Sequence, residues 1–292
     1  MLERLNQLSH QFAVSGCEEQ MRSFLISRLK GIGANPSVDE TGCLYAKKTG
    51  SSRNKRRVII SVPMDVPGYL ALYINNNYGY LSATSEMPEN KGKSVKIMGE
   101  EGRFYRATLL ADSEKERRVY KKGIDLADSF CLDPTVEADQ EILSGFFATT
   151  YARIQLLLDL AKEQTQNDVT FLFAASSSTR AAKERNAAKR INPDYMILVG
   201  AAKSDQTKPL LLIKDGNAFS NKELTKSFLA LQGKNSFKTA LFSDPITKAG
   251  EVHSADGVPI LSLALPYSSR DGKERFSCES YKALLMGLKN FI

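Results

Sequence analysis

Strands and helices alternate along most of this chain, and this alternation limits the folds that it can adopt. Strand patterns at Val169–Ala174, Tyr195–Val199 and Ile260–Leu265 are separated by runs such as Thr179–Arg190, which have the character of helices. Earlier in the chain, the β-branched run Arg57–Val62 predicts a strand that is buried on both faces. Strands that alternate with helices predict βαβ units and a mostly parallel sheet.

The stretch 69–145 interrupts this alternation with short strand-like runs. Turn residues separate the runs, as at Asn75–Asn77 and Gly99–Gly102. Regular short strands with Gly and Asn turns predict a small β-barrel or sandwich. We therefore predict an α/β domain formed by residues 1–68 and 146–292, with a β-rich domain inserted at 69–145.

The composition of the 292 residues is that of an ordinary globular protein. Apolar residues make up 42% and charged residues 25%, which excludes a disordered, fibrous or collagen-like chain. No apolar run approaches the roughly 18 residues that a membrane span needs. The net charge of +7 permits an anionic partner, but the basic run Arg53–Arg57 lacks interleaved aromatic residues and a nucleic-acid-binding motif. We expect no membrane and no nucleic acid among the partners.

The four cysteines, at positions 17, 43, 131 and 278, have neither zinc-ribbon nor C-x-x-C spacing. A chain of this size does not need a disulfide scaffold, so reduced thiols are the expected state. The start Met1–Arg4 lacks the basic and apolar regions of a signal peptide. Together these features predict a cytoplasmic protein.

The chain has no G-x-S-x-G elbow, no P-loop and no G-x-G-x-x-G fingerprint. Ser176–Thr179 follows a predicted strand, where a serine can be catalytic, but a nucleophilic serine also needs a base. The candidate base, His253, lies far away in the sequence, so we predict that these hydroxyls open the next helix. His253 stands near Glu251 and Asp256, and one histidine with scattered carboxylates is not a recognisable zinc set.

Several short motifs occur in the order that they have in one family of peptidases. Val14–Glu19 (Val-Ser-Gly-Cys-Glu-Glu) is similar to Val-Ser-Gly-Tyr-Glu-Glu, and its serine and first glutamate have the spacing of a helix capping box. Pro63–Tyr69 (Pro-Met-Asp-Val-Pro-Gly-Tyr) is similar to His-Met-Asp-Glu-x-Gly-Phe, and Asp39–Leu44 to Asp-x-x-Gly-Asn-Leu. With Gly257–Pro259, these motifs make the chain resemble the glutamyl and deblocking zinc aminopeptidases, which assemble into tetrahedral particles. Some relatives of that family are named cellulase or endoglucanase.

The resemblance implies a zinc-exopeptidase-like three-layer α/β sandwich, with a central mixed, mostly parallel sheet and an inserted small β-barrel domain. It implies a homo-oligomer, dimer or larger, because subunits of the family assemble into shells. It also implies two divalent metals, zinc or cobalt, which two histidines and several carboxylates hold beside a glutamate base.

The positions that match this metal site have lost most of its side chains. They are Pro63 for the first histidine, Thr149 for the bridging aspartate, Ser177 and Ser178 for the paired glutamates, Gly200 for another aspartate ligand and Asp271 for the second histidine. Proline and glycine have no metal-binding side chain, and hydroxyls bind zinc poorly beside imidazole or carboxylate. Loss of the general base alone costs about 10²–10⁴ in rate. The aspartate that orients the first histidine is retained as Asp65.

We therefore predict a non-catalytic homologue with no metal or other cofactor, a subunit that binds peptides or small ligands or has a structural role. The alternative is an active metallo-aminopeptidase whose zinc or cobalt ions bind at a rearranged site. Such a site would use Asp65, His253, Asp256 or Asp271. The two predictions differ in whether the chain is an enzyme.

Overall fold

The computed structural model describes residues 1–84, 87, 90, 92–98, 104–112, 116–132, 134–175, 180–232, 236–247, 252 and 257–292. Its helices over these residues are α1 (Leu2–Ser9), α2 (Glu19–Gly31), α3 (Ala148–Leu160), α4 (Arg180–Ile191), α5 (Lys222–Leu231) and α6 (Cys278–Phe291). Its strands are β1 (Asn35–Val38), β2 (Leu44–Lys48), β3 (Arg57–Pro63), β4 (Tyr69–Asn75), β5 (Tyr78–Ala83), β6 (Ser94–Met98), β7 (Phe104–Asp112), β8 (Arg117–Tyr120), β9 (Ser129–Leu132), β10 (Glu137–Asp139), β11 (Ile142–Gly145), β12 (Asp168–Ala174), β13 (Tyr195–Lys203), β14 (Leu210–Asp215), β15 (Ala218–Phe219), β16 (Lys238–Phe242), β17 (Ile260–Arg270) and β18 (Lys273–Ser277).

One large mixed sheet has parallel strands at its centre. Its order is β1-β2-β12-β3-β13-β17-β18-β11-β10, and β14, which pairs with β17, also pairs with β15 and β16. The central strands β12, β3, β13 and β17 run in the same direction, with Ser61 opposite Leu172 and Leu198, and Gly200 opposite Ala264. In β3 every residue from Val58 to Pro63 is buried, as expected for a strand that is covered on both faces.

Helices cover this sheet on both faces. The chain steps from β3 to β12 in one direction across the sheet, and then from β12 past β3 to β13 in the other. Because such crossovers are right-handed, the connecting helices α3 and α4 lie on opposite faces. α3 packs against α1 and α6, and eleven of its thirteen residues are buried. The predicted three-layer α/β sandwich is confirmed. None of the described helices is long and apolar enough to cross a membrane.

The predicted small barrel is also present. Its strands close in the order β4-β5-β8-β7-β6-β9 around a core that includes the fully buried Tyr69, Val95, Leu109 and Phe130. The strands β10 and β11 lie within the predicted insert but pair with each other and with β18 of the large sheet. The barrel strands therefore end at Leu132, and the domain boundaries at 68/69 and 145/146 stay a prediction.

Helix α2 begins later than the capping-box spacing predicts. It starts at Glu19, and the carboxylate of Glu18 accepts a hydrogen bond from the Gly16 N–H at 2.8 Å. The Ser15 hydroxyl donates to Asp65 instead. The prediction of Ser15 as N-cap was therefore wrong, because a carboxylate at the end of β3 takes its hydroxyl.

Candidate functional site

A cleft of about 440 Å³ lies at the carboxyl end of β3. Ligand sites in open α/β sheets form at this edge, where the parallel strands end. Four charged side chains line the cleft, namely Asp65, Arg153, Lys203 and Glu274. Its other walls are mostly apolar, formed by Pro63, Pro67, Met87, Leu132, Phe146, Phe147, Pro245, Ile246 and Tyr267. The cleft thus combines two acidic and two basic side chains with an apolar lining.

Asp65 lies two residues beyond the end of β3, where it is 2% exposed. Its carboxylate accepts a hydrogen bond from the Ser15 hydroxyl. The backbone nearby is held in the same way, since the Ser15 N–H donates to the Val66 carbonyl at 3.2 Å and the Val66 N–H to the Ala13 carbonyl at 2.8 Å. The segment before α2 therefore fixes Asp65 in place through both main chain and side chain.

Thr149 lies at the start of α3 and binds a carboxylate from β18. Its N–H and its hydroxyl both donate to the same oxygen, Oε2 of Glu274, at 2.8 Å each. Burial raises the pKa of Glu274, while the two hydrogen bonds from Thr149 and the charge of Arg153 act in the opposite direction. A carboxylate at a helix N-terminus also interacts favourably with the helix dipole. Thr149, which we predict to match the bridging aspartate, is therefore bound to a carboxylate that the sequence analysis missed.

Two further side chains shape this end of α3. Phe147 precedes the helix with φ of 59°, in the left-handed region that side chains other than glycine adopt rarely. The Arg153 guanidinium donates to the Thr149 carbonyl at 3.1 Å and to the Thr150 hydroxyl at 2.9 Å. Both Phe147 and Arg153 line the cleft, so the first turn of α3 forms one of its walls.

Gly200 lies in the middle of β13 under a loop that follows β16. A Cβ atom at position 200 would be 2.7 Å from Cγ2 of Ile246 and 2.9 Å from Cγ2 of Thr247. Real Cβ atoms essentially never approach other atoms within 3.0 Å. Position 200, which we predict to match an aspartate ligand, therefore has no room for a side chain while this loop is in place.

The loop is held by Asp215, a buried carboxylate at the end of β14 that the sequence analysis also missed. It accepts hydrogen bonds from the Ile246 N–H at 2.5 Å and from the Thr247 N–H at 3.1 Å. The Thr247 hydroxyl also bonds to Asp215, and lies 3.1 Å from the Ser262 hydroxyl. We name residues 245–247 the covering loop.

The remaining predicted site residues do not join this arrangement. Asp271 lies in the turn between β17 and β18 with its side chain 79% exposed, and it does not line the cleft. Its carboxylate lies 3.9 Å from Nε of the adjacent Arg270. Ser177 and Ser178, like His253 and Asp256, lie outside the described residues. Of the residues that the sequence singles out, Pro63 and Asp65 line the cleft.

The described residues do not fit the two-metal centre that the resemblance implies. Pro63 offers no ligand atom, the hydroxyl of Thr149 donates to Glu274, and Gly200 is covered. Within the described ranges, no group of three or more histidine, cysteine, aspartate or glutamate side chains is placed to hold a metal ion. The cations Arg153 and Lys203 add positive charge where metal ions would need negative charge.

Comparison with known proteins places the chain among aminopeptidase folds, although no family model matches it. A protein of Acetivibrio thermocellus named "Putative aminopeptidase" is 22% identical to it, over 91% of this chain and 90% of that protein. The structure of aminopeptidase APDkam598 from the archaeon Desulfurococcus kamchatkensis has a TM-score of 0.91 at 16% identity, and the match covers 100% of this chain and 94% of that one.

A second solved structure is similar over its full length as well. The TET1 peptidase of Pyrococcus horikoshii, which can assemble into a tetrahedron or a large octahedral shell, has a TM-score of 0.82 at 16% identity. That match covers 99% of this chain and 98% of the other. The chain therefore resembles the tetrahedral and deblocking aminopeptidases over its whole length, and it has their fold.

Proposed function

We propose that this chain is a non-catalytic homologue of the dinuclear-zinc aminopeptidases, a cytoplasmic subunit that binds peptides or small ligands. The observation that carries the proposal is the covering loop over Gly200. Ile246 and Thr247 fill the space into which a ligand side chain from position 200 would extend. Asp215, a buried residue of the sheet, binds the loop through two N–H groups and a hydroxyl. These contacts hold the loop over Gly200.

Charge supports the same proposal. Two divalent ions a few ångströms apart repel strongly in a site shielded from water, and several carboxylates must offset that repulsion. The cleft offers Asp65 and Glu274, and it also contains Arg153 and Lys203. With two side chains of each sign, the lining is close to neutral and favours a neutral or zwitterionic ligand.

A short unmodified peptide has the chemistry that this cleft would recognise. Its ammonium group would pair with Asp65 or Glu274, and its carboxylate with Lys203 or Arg153. Apolar side chains of the peptide would contact Phe146, Phe147 or Tyr267. Pockets of this kind, mostly apolar with a few polar groups, are typical of small-ligand sites.

The proposal includes a homo-oligomer and a cytoplasmic location. The oligomer is supported by the fold that the chain shares with a peptidase that assembles into closed shells. The location is supported by the four cysteines, which form no disulfide with one another, since reduced thiols are typical of the cytosol.

Metal analysis combined with a peptidase assay tests the proposal. The protein is purified without chelator and its metals are measured by mass spectrometry, then amino-acid release from peptide amides is assayed with added zinc or cobalt. We expect no stoichiometric metal and no release, with the aminopeptidase of Desulfurococcus kamchatkensis as positive control. Two tightly bound metals per chain, together with release, would establish the alternative of an active enzyme with a rearranged site.

Calorimetry tests the ligand class. We expect a tripeptide with free termini to bind, and the same tripeptide with acetylated and amidated termini to bind at least about tenfold more weakly, because it has lost both charges. The Lys203→Glu variant should weaken binding of the free peptide and leave the capped peptide unaffected. Equal binding of the two peptides would contradict recognition of the termini.

A further inference from the structure

A second cleft, of about 440 Å³, extends along one face of the large sheet from the start of β3 and β12. Arg57 and Asp168, which line it, are the first residues of these two strands and are paired with each other. None of the described residues that line this second cleft also lines the cleft at the carboxyl end of β3. The two clefts are therefore separate, and the peptide site proposed above does not use the second one.

Two exposed cations flank β12 in the second cleft. Lys47 on β2 is opposite Thr170, and Arg57 on β3 is opposite Asp168. Directly paired residues, and residues two apart on one strand, have side chains on the same face of a sheet. Lys47 and Arg57 therefore extend from the same face on either side of β12. Among the described residues, no carboxylate forms an ion pair with either of them.

Arg190, at the end of α4, is a third cation on this face. Its guanidinium lies 4.4 Å from the ring centroid of Tyr45 and 3.6 Å from a carboxylate oxygen of Asp39. That carboxylate has other donors, since it accepts from the Tyr45 hydroxyl at 2.7 Å and from the N–H groups of Thr41 and Cys43 at 3.0 Å each. The ring and the carboxylate position the guanidinium, and 54% of the Arg190 side chain stays exposed.

The basic run Arg53–Arg57, to which the sequence analysis assigned no motif, lies beside the same cleft. The Lys55 ammonium is 3.0 Å from the carboxylate of Asp168 and neutralises its charge. The Arg56 N–H donates to the Asn167 side chain at 3.0 Å. These contacts fasten the run to the start of β12. Every residue of the run is exposed, so its other cations add to the positive charge of this side.

The lining of the second cleft therefore has an excess of positive charge. Its charged residues are four cations and two carboxylates, namely Lys47, Lys48, Arg57 and Arg190 against Asp39 and Asp168. The Lys48 ammonium donates to the Ala161 carbonyl at 2.9 Å, which leaves the other three cations to meet a ligand. A cleft lined mainly by one sign of charge concentrates the electrostatic potential and attracts ions of the opposite sign.

We propose that the second cleft binds a small ligand with two or more phosphate groups. Arg57, Lys47 and Arg190 act at the β12 positions from Asp168 to Leu172, which span about 13 Å at about 3.3 Å per residue. This length exceeds one phosphate group and suits a short chain of them. Guanidinium groups bind phosphate oxygens through two parallel hydrogen bonds, and an ammonium group binds them as a point charge.

The lining favours such a ligand over a nucleic acid strand or an acidic peptide. Single-stranded nucleic acids bind by stacking their bases on exposed aromatic rings. Tyr45, the aromatic residue in the described lining, is 2% exposed and has Arg190 over its ring. A phosphate group carries more than one negative charge near pH 7, whereas each carboxylate of a peptide carries one. Phosphate groups therefore match closely spaced cations better.

Calorimetry with inorganic tripolyphosphate tests the site, in about 150 mM salt without divalent metal ions. We expect one site per chain with a Kd below about 1 mM. Lys47→Gln with Arg57→Gln should weaken binding at least about tenfold, because charged hydrogen bonds are lost. The control, Lys222→Gln with Arg270→Gln, removes the same charge from exposed positions outside the cleft and should leave the affinity nearly unchanged. No saturable binding, or equal weakening by the two double variants, would overturn the proposal.

Arg57→Lys separates a phosphate site from diffuse attraction by charge. It keeps the charge and removes the guanidinium, so we expect weaker binding of tripolyphosphate. Unchanged affinity would contradict recognition through the guanidinium.

Titration with other anions tests the class of ligand. Orthophosphate should bind at least about tenfold more weakly than tripolyphosphate, since one group reaches fewer of the cations. A peptide of six glutamates and an oligonucleotide of ten thymidines should also bind more weakly. Tighter binding of the peptide or of the oligonucleotide would identify a different class of partner and overturn the proposal. These measurements depend neither on metal binding nor on activity, so they are independent of the function proposed above.

Discussion

One oxygen of Glu274 accepts two hydrogen bonds from Thr149, one from its backbone N–H and one from its hydroxyl. This contact joins β18 to the first turn of α3 across 125 positions in the sequence. Thr149 is the residue that we predict to match a metal-bridging aspartate, and here its N–H and hydroxyl bind a carboxylate near the N-terminus of α3. Oε2 of Glu274 thereby helps to hold the wall of the cleft.

Glu274→Gln should change how stability depends on pH. Burial raises the pKa of Glu274 above its unfolded value, so the folded state binds this proton more tightly than the unfolded state does. The contribution of Glu274 to stability is therefore present at low pH and is lost as pH rises through the folded pKa. Glutamine retains an acceptor for Thr149 but has no proton to lose. The unfolding free energy of the wild type minus that of the variant should fall as pH rises from about 4 toward 7, measured by urea titration. Curves that stay parallel across this range would contradict it.

Gly200→Ala should destabilise the protein, because the added Cβ atom meets Ile246 and Thr247 within 3.0 Å. Overpacking of this kind costs about 1–3 kcal/mol. Gly31→Ala is the matched control, since nothing lies within 4 Å of its added Cβ atom and alanine favours the helix. Combining Gly200→Ala with Ile246→Ala should cost less than the sum of the two single changes, because both act on one contact. Strict additivity, measured by chemical denaturation, would mean that the covering loop does not press on position 200.

Asp215→Ala should release the covering loop. The substitution leaves the N–H groups of Ile246 and Thr247 without their acceptor, and such a loss costs about 1–3 kcal/mol for each buried group. Asp215→Asn, which keeps one acceptor oxygen, should have a smaller effect. Hydrogen exchange at the amides of Ile246 and Thr247 should accelerate more in the alanine variant than in the asparagine variant. Unchanged exchange in Asp215→Ala would show that other contacts hold the loop.

The sequence predicted the features that patterns of neighbouring residues determine. It did not predict contacts between residues that are far apart in the chain. The buried runs of β3 and β12 predicted the centre of the sheet, and the spaced turns predicted the barrel. Glu274 and Asp215 gave no such signal, because each is one acidic residue among many until the fold brings it to Thr149 or to the covering loop. The contacts of Asp215 with the covering loop span 31 and 32 positions, and no periodicity along the chain encodes them.

Asp271 illustrates a second reason why the site could not be predicted fully from the sequence, namely that the direction of a side chain depends on the fold. The motif order predicts that Asp271 matches a histidine ligand, but β17 and β18 continue as a hairpin around it, with Arg270 paired to Lys273. The turn carries its side chain into solvent at φ of 54°. Matching by motif order predicts which segment corresponds to a ligand position, but it does not determine which way the side chains of that segment point.

Restoring the metal site should require opening the covering loop as well. A variant with Pro63→His, Thr149→Asp, Ser177→Glu, Ser178→Glu and Gly200→Asp regains the ligand types of the family, but the new aspartate at 200 still meets the loop. Adding Ile246→Ala and Thr247→Ser removes both methyl groups that crowd this position and keeps the hydroxyl that binds Asp215. We expect the sevenfold variant to bind zinc at least about tenfold more tightly than the fivefold variant. The reason is that the carboxylate at position 200 is then free to bind the ion, and one added carboxylate ligand contributes at least this gain in affinity.

Competition with a chelating dye measures this difference. The control is Ile246→Ala with Thr247→Ser in the wild-type chain, which clears the space without adding a ligand and should leave zinc affinity at the wild-type level. Because the two loop substitutions remove only hydrocarbon groups beyond Cβ, a gain seen in the sevenfold variant and absent from this control comes from the carboxylate at 200. Equal affinity of the fivefold and sevenfold variants would mean that the covering loop is not what separates Gly200 from a ligand role.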